Sequence, residues 1–118
     1  MVHSIQINFI ENLLLSKNDS SLLSQATLRR QHQFTHNDAP ILVGRTQECK
    51  VRLKEGALSR VQCRIDFIDD KWILKDGNGK DKRSTNGTWL WVAQSEQLYD
   101  GDLFKAGNAI FRVSYAQH

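Results

Sequence analysis

The chain has 118 residues, 40% of them hydrophobic and 25% charged, with a formal net charge of +3. That is the length of one domain and the composition of an ordinary globular protein, which sets aside disordered, collagenous and membrane-embedded classes. No run approaches the roughly 18 consecutive apolar residues of a membrane span, and no basic, apolar and small-residue succession marks a secretory leader. Cys49 and Cys63 are too few for a zinc site or a disulfide framework. The expectation is one intracellular domain over residues 1–118 with reduced thiols, nuclear or cytoplasmic, standing alone or within a larger protein.

Residues 5–9 alternate apolar and polar side chains and read as the first strand. Over residues 16–30 the alternation is lost, and Leu22, Leu23 and Leu28 would form one side of a short helix opened by Asp19 or Ser20, or else an irregular loop. Residues 31–35 and 40–44 read as short strands, with Pro40 acceptable at a first position that needs no ladder donor. Residues 51–53, 62–68 and 71–75 continue the series, and Asp69-Asp70 supplies a tight turn between the last two. Cys63, Ile65 and Phe67 fall on one face of their strand. Residues 88–92, 97–98, 103–106 and 110–115 complete about ten or eleven strands, separated by Asp100-Gly101-Asp102 and Gly107-Asn108 turns. Short strands with turns every 8–12 residues or so predict an all-β fold, a sandwich of two antiparallel sheets.

Three short polar motifs stand at strand edges: Gly44-Arg45, Ser59-Arg60 and Ser84-Thr85-Asn86-Gly87. Residues 45–64 hold six basic side chains against two acidic ones, a local charge of +4 that favours an anionic partner. A phosphate monoester brings about −1.5 to −2 charges and three acceptor oxygens, so its receptor needs a cation and several donors. The fork of Arg45 suits a phosphate oxygen and a neighbouring carbonyl together. Gly44 allows a sharp bend or close backbone approach. Asn86 has a donor and an acceptor end with which to pair a peptide main chain.

In this order and context the motifs resemble those of the forkhead-associated (FHA) domain, over residues 31–116. The resemblance implies an FHA/SMAD-like β-sandwich whose loops at one end bind phosphothreonine in a partner protein, without catalysis, cofactor or metal. It assigns phosphopeptide contact to Arg45, Ser59, Arg60 and Thr85 and main-chain contact to Asn86, with Gly44, Gln62 and Gly87 shaping the loops. Where the family usually carries histidine three positions after the serine, this chain has Gln62, which donates and accepts but cannot charge. Residues 77–83 form a longer and more basic connection than the family pattern, and Lys80, Lys82 and Arg83 would attract acidic ligands.

Other functions find less support. The histidines, at 3, 32, 36 and 118, lie outside the motifs, and neither Ser59 nor Cys63 has a base, so an enzyme is disfavoured. On a strand His32 and His36 would stand about 13 Å apart, too far to share a metal. Gly77-Asn78-Gly79-Lys80 lacks the spacing of a nucleotide phosphate loop. A pI of about 9.0 permits nucleic-acid binding, but the aromatic residues occupy strand positions and do not interleave with the basic ones. A phosphate-independent scaffold within a larger assembly is the alternative, with Trp89 and Trp91 as its markers.

Overall fold

The computed structural model of the chain describes residues 2–11, 27–54 and 56–116. Among these residues the chain forms eight strands and one short 3-10 turn, His36–Asp38, and no α-helix. The strands are β1 (Ser4–Glu11), β2 (Thr27–Thr35), β3 (Ile41–Gly44), β4 (Val51–Arg52), β5 (Val61–Ile68), β6 (Lys71–Asp76), β7 (Leu103–Ala106) and β8 (Ala109–Arg112). They make three sheets, ordered β1-β2, β4-β3-β5-β6 and β7-β8. Two compact units result, Met1–Thr88 and Trp89–His118.

In the first unit β1 pairs antiparallel with β2, from Ser4 opposite Thr35 to Glu11 opposite Thr27, with a register shift at Phe9/Ile10. Residues 27–30, expected to be irregular or helical, are therefore strand: the β1 ladder supplies the partner that local propensity could not reveal. Residues 16–26 lie outside the described residues. In the second sheet β3 and β4 are parallel while β3-β5 and β5-β6 are antiparallel, so one pair departs from the expected antiparallel arrangement. Asp69 and Asp70 close the β5-β6 hairpin at φ 51° and 61°, the left-handed pair that a two-residue turn compatible with strand twist demands.

One irregularity positions everything that follows. Val43 lies opposite Cys63, but Gly44 lies opposite Val61, so Gln62 is the extra residue of a β-bulge. The bulge breaks the in-out alternation, and Gln62 and Cys63 are both buried. Ile41, Cys49 and Val51 are buried with them. The Phe67 ring meets His3 at 4.9 Å, His36 at 5.4 Å and Trp72 at 4.8 Å, which ties the β1-β2 hairpin to the larger sheet. Asp66, 5% exposed, is bracketed by Arg64 at 2.7 Å and Lys75 at 3.1 Å. Burial pushes this carboxyl up, but its hydrogen bonds to the two cations outweigh that and hold it below its ordinary value.

The second unit is built on the β7-β8 hairpin, with Phe104 stacked on Phe111 at 5.2 Å and Gly107 turning at φ 59°. Asp102 and Asp100 accept backbone N–H groups from Tyr99 and Tyr115, each at 2.7 Å. Residues 88–92 and 97–98, expected as strands, are not strands. Alternation marks only a capacity for pairing, and these stretches join no ladder.

Candidate functional site

The β3-β5 bulge brings the end of β3 against the residue preceding β5. The Arg60 carbonyl accepts the backbone N–H of Arg45 at 3.0 Å and of Thr46 at 3.4 Å, and the Cys49 thiol at 3.4 Å, so the loop after β3 wraps around one oxygen. A Cβ on Gly44 would stand 2.2 Å from that oxygen. The close approach that Gly44 allows is therefore that of the chain's own backbone.

The predicted site residues converge on three consecutive positions. Arg45 donates from Nε to the Leu58 carbonyl at 2.6 Å, and Thr85 donates its backbone N–H to Ser59 Oγ at 2.8 Å. Asn86 donates from Nδ2 to the Ala57 carbonyl at 3.1 Å. Ser59 Oγ also lies 3.4 Å from Thr85 Oγ1, which sets two hydroxyls side by side. Residues up to 41 positions apart in sequence thus meet around the loop 57–59. Gly87 turns at φ 81°, the left-handed region that favours glycine, and carries the chain away from this point.

Gln62 fastens the same loops from beneath. Its Oε1 accepts the Ser59 backbone N–H at 3.0 Å, and its Nε2 donates to the Gly87 carbonyl at 2.8 Å and to Thr88 Oγ1 at 3.3 Å. A neutral amide with one donor end and one acceptor end bridges the 59 and 87 loops without a charge. Below it Asp76 accepts the Ser84 hydroxyl at 2.5 Å, the Ser84 N–H at 3.1 Å and the Thr88 hydroxyl at 2.7 Å. Burial works to raise the Asp76 carboxyl, but the hydrogen bonds from Ser84, Thr88 and Gly77 outweigh it and hold the group below its ordinary value. Asp76 and Thr88 had no place in the sequence-level site. The only signal was an aspartate at the end of an alternating strand, with a serine 8 and a threonine 12 positions further on.

An open groove of about 530 Å³ borders Ser59, Arg60 and Thr85 on the motif loops and Lys82 and Arg83 on the 77–83 connection. Lys80 does not line it, and neither does Arg45, whose guanidinium is turned to Leu58. Asn78 organises the connection: its Oδ1 accepts the N–H groups of Lys80, Asp81 and Lys82 at 2.9–3.1 Å. Cys63, close by, has its thiol pushed up to about 11 by burial, with Asp76 and Cys49 adding to the effect, so it is an inert core group. Among the described residues no cluster of three or more His, Cys, Asp or Glu is placed to hold a metal.

Among curated proteins and among solved structures, no significant match to the chain is found. The family model describing the FHA domain matches residues 41–107, more than half of the chain, and takes in all three motif loops. Members of that family are in general non-enzymatic protein-interaction modules that bind phosphorylated partners. On this match and on the loop geometry, the chain belongs to the FHA domain family.

Proposed function

We propose that this chain recognises phosphothreonine in a partner protein, as a binding module without catalysis of its own. The observation that carries the reading is the meeting of Arg45, Thr85 and Asn86 on the Ala57-Leu58-Ser59 segment. The paired Ser59 and Thr85 hydroxyls would donate to phosphate oxygens, Arg45 and Arg60 would supply positive charge, and Asn86 would pair the main chain beside the phosphoresidue. Gln62 and Asp76 hold these groups in place before the ligand arrives, which lowers the ordering cost of binding. Cys49 and Cys63 are free thiols, the form a reducing compartment maintains, which supports an intracellular setting where threonine kinases act.

The test is a titration of phosphothreonine peptides against their phosphoserine and unphosphorylated counterparts. Burial of the one methyl that separates threonine from serine contributes roughly 0.8 kcal/mol, about a fourfold preference. Binding of phosphothreonine above phosphoserine, with the unphosphorylated peptide inert, is the expected order. Equal binding of all three would indicate a phosphate-independent scaffold. Preferred binding to random oligonucleotides with a steep salt slope would indicate nucleic acid.

A further inference from the structure

We propose that the groove beside the phosphothreonine site is a second anion subsite, built by the 77–83 connection and taking a further anionic side chain of the same peptide. The inference rests on the phosphothreonine reading and adds a ligand class to it. The groove's volume of about 530 Å³ lies within the roughly 300–1,000 Å³ typical of whole small-ligand sites, whereas a phosphoryl head is one phosphorus and three oxygens. Room remains once the phosphothreonine is seated.

The charges in the groove are unevenly committed. Its carboxylates already have donors: Glu48 accepts the Thr46 hydroxyl at 3.2 Å, and Asp81 accepts the Asn78 amide at 2.8 Å. Its cations do not. Among the described residues, the side chains of Arg60, Lys82 and Arg83 take part in no hydrogen bond or close ion pair, in contrast to Arg64 and Lys75, which are paired to Asp66; Lys82 acts on the neighbouring Asp81 carboxyl only through its charge. With Arg60 serving the phosphothreonine, Lys82 and Arg83 are the groove cations left for a second anion, and they are the charge that the 77–83 connection adds to the site.

The connection is also set in advance. Asn78 ties the backbone of Lys80, Asp81 and Lys82, the Asn78 N–H donates to the Lys82 carbonyl at 3.1 Å, and Arg64 reaches the Asn78 carbonyl at 3.4 Å. At Gly77, with φ 65°, a Cβ would fall 1.9 Å from the Lys82 carbonyl oxygen. The loop is thus closed at its neck and holds Lys82 and Arg83 on the same groove that Ser59 and Thr85 line.

The experiment uses a phosphothreonine peptide into which a second phosphoserine, or alternatively a pair of glutamates, is introduced at each position within four residues on either side. Affinities are measured by titration calorimetry for the whole chain and for the Lys82→Ala/Arg83→Ala variant. An exposed ion pair gives up to about fivefold, so engagement of two cations is expected to give roughly a tenfold gain at the favoured position. In the double variant the ratio of doubly to singly anionic peptide falls to about one, and in Lys82→Glu/Arg83→Glu the second anion weakens binding. The phosphoserine and glutamate arms show which source of negative charge the groove takes. No gain at any position, or a gain that survives in the alanine variant, overturns the subsite while leaving the phosphothreonine reading intact. Failure of the singly phosphorylated peptide to bind at all overturns both.

Discussion

Gln62→Ala is the sharpest probe of how the loops are held. At 7% exposed, Gln62 makes three hydrogen bonds that link the Ser59 and Gly87 loops. Truncation leaves the Ser59 N–H and the Gly87 carbonyl without their partners, each only half-buried, so water recovers part of the loss. At about 1–2 kcal/mol per group left in this condition, the variant should lose about 2–4 kcal/mol of stability. A urea titration followed by far-ultraviolet circular dichroism reads this directly as a midpoint lowered by about 1–3 M at ordinary slopes. Phosphopeptide affinity should fall in parallel, because Ser59 and Thr85 lose their fixed spacing. Gln62→His, which keeps one donor and one acceptor, should recover part of both. A Gln62→Ala protein as stable as the parent, within about 0.5 kcal/mol, would show that the bulge is held by other contacts and that the loops need no amide bridge.

Arg45→Ala should weaken phosphothreonine binding by about 2–3 kcal/mol. Its exposed bond to Leu58 should limit the stability loss to about 1 kcal/mol in thermal melts. Gly44→Ala places a methyl 2.2 Å from the Arg60 carbonyl oxygen, and overpacking against backbone should cost about 1–3 kcal/mol or more, seen as a melting temperature lower by about 4–8 °C per kcal/mol. The Asp76 carboxyl binds its proton less tightly in the folded chain than in the unfolded one. Its contribution is therefore complete above the ordinary value of 3.8 and fades as pH falls through the lower folded value. Melts between neutral and strongly acid pH should show that loss, and Asp76→Asn should shrink the acid dependence while lowering stability at neutral pH. Cys63, buried and with its thiol raised to about 11, should resist alkylation near neutral pH in the folded chain and react on unfolding, as mass spectrometry of labelled peptides would record.

The site's vocabulary was legible from residue type: a guanidinium, two hydroxyls, an amide and turn glycines at strand edges. The Asp69-Asp70 turn and the strands that flank it were equally legible, since hairpin chemistry is local. The extent of β2 was not, because residues 27–30 become strand only by pairing with β1. Residues 88–92 show the converse, an alternating stretch that forms no strand. The bulge also escaped detection: a one-residue shift in register against β3 buries Gln62 and Cys63 together, and strict alternation along β5 would put them on opposite faces.

By itself the sequence determined the chemistry available and its family, since donors, cations and turn formers are fixed by residue identity. Only the tertiary structure decided how that chemistry is mounted: Arg45 on Leu58, Thr85 on Ser59, Asn86 on Ala57, and Asp76 beneath Ser84 and Thr88. It also separated Lys82 and Arg83, which face the groove, from Lys80, which does not. The physical reason is that a hydrogen bond depends on distances of about 3 Å between atoms, and distances between residues far apart in the chain are set by the pairing and bulging of strands.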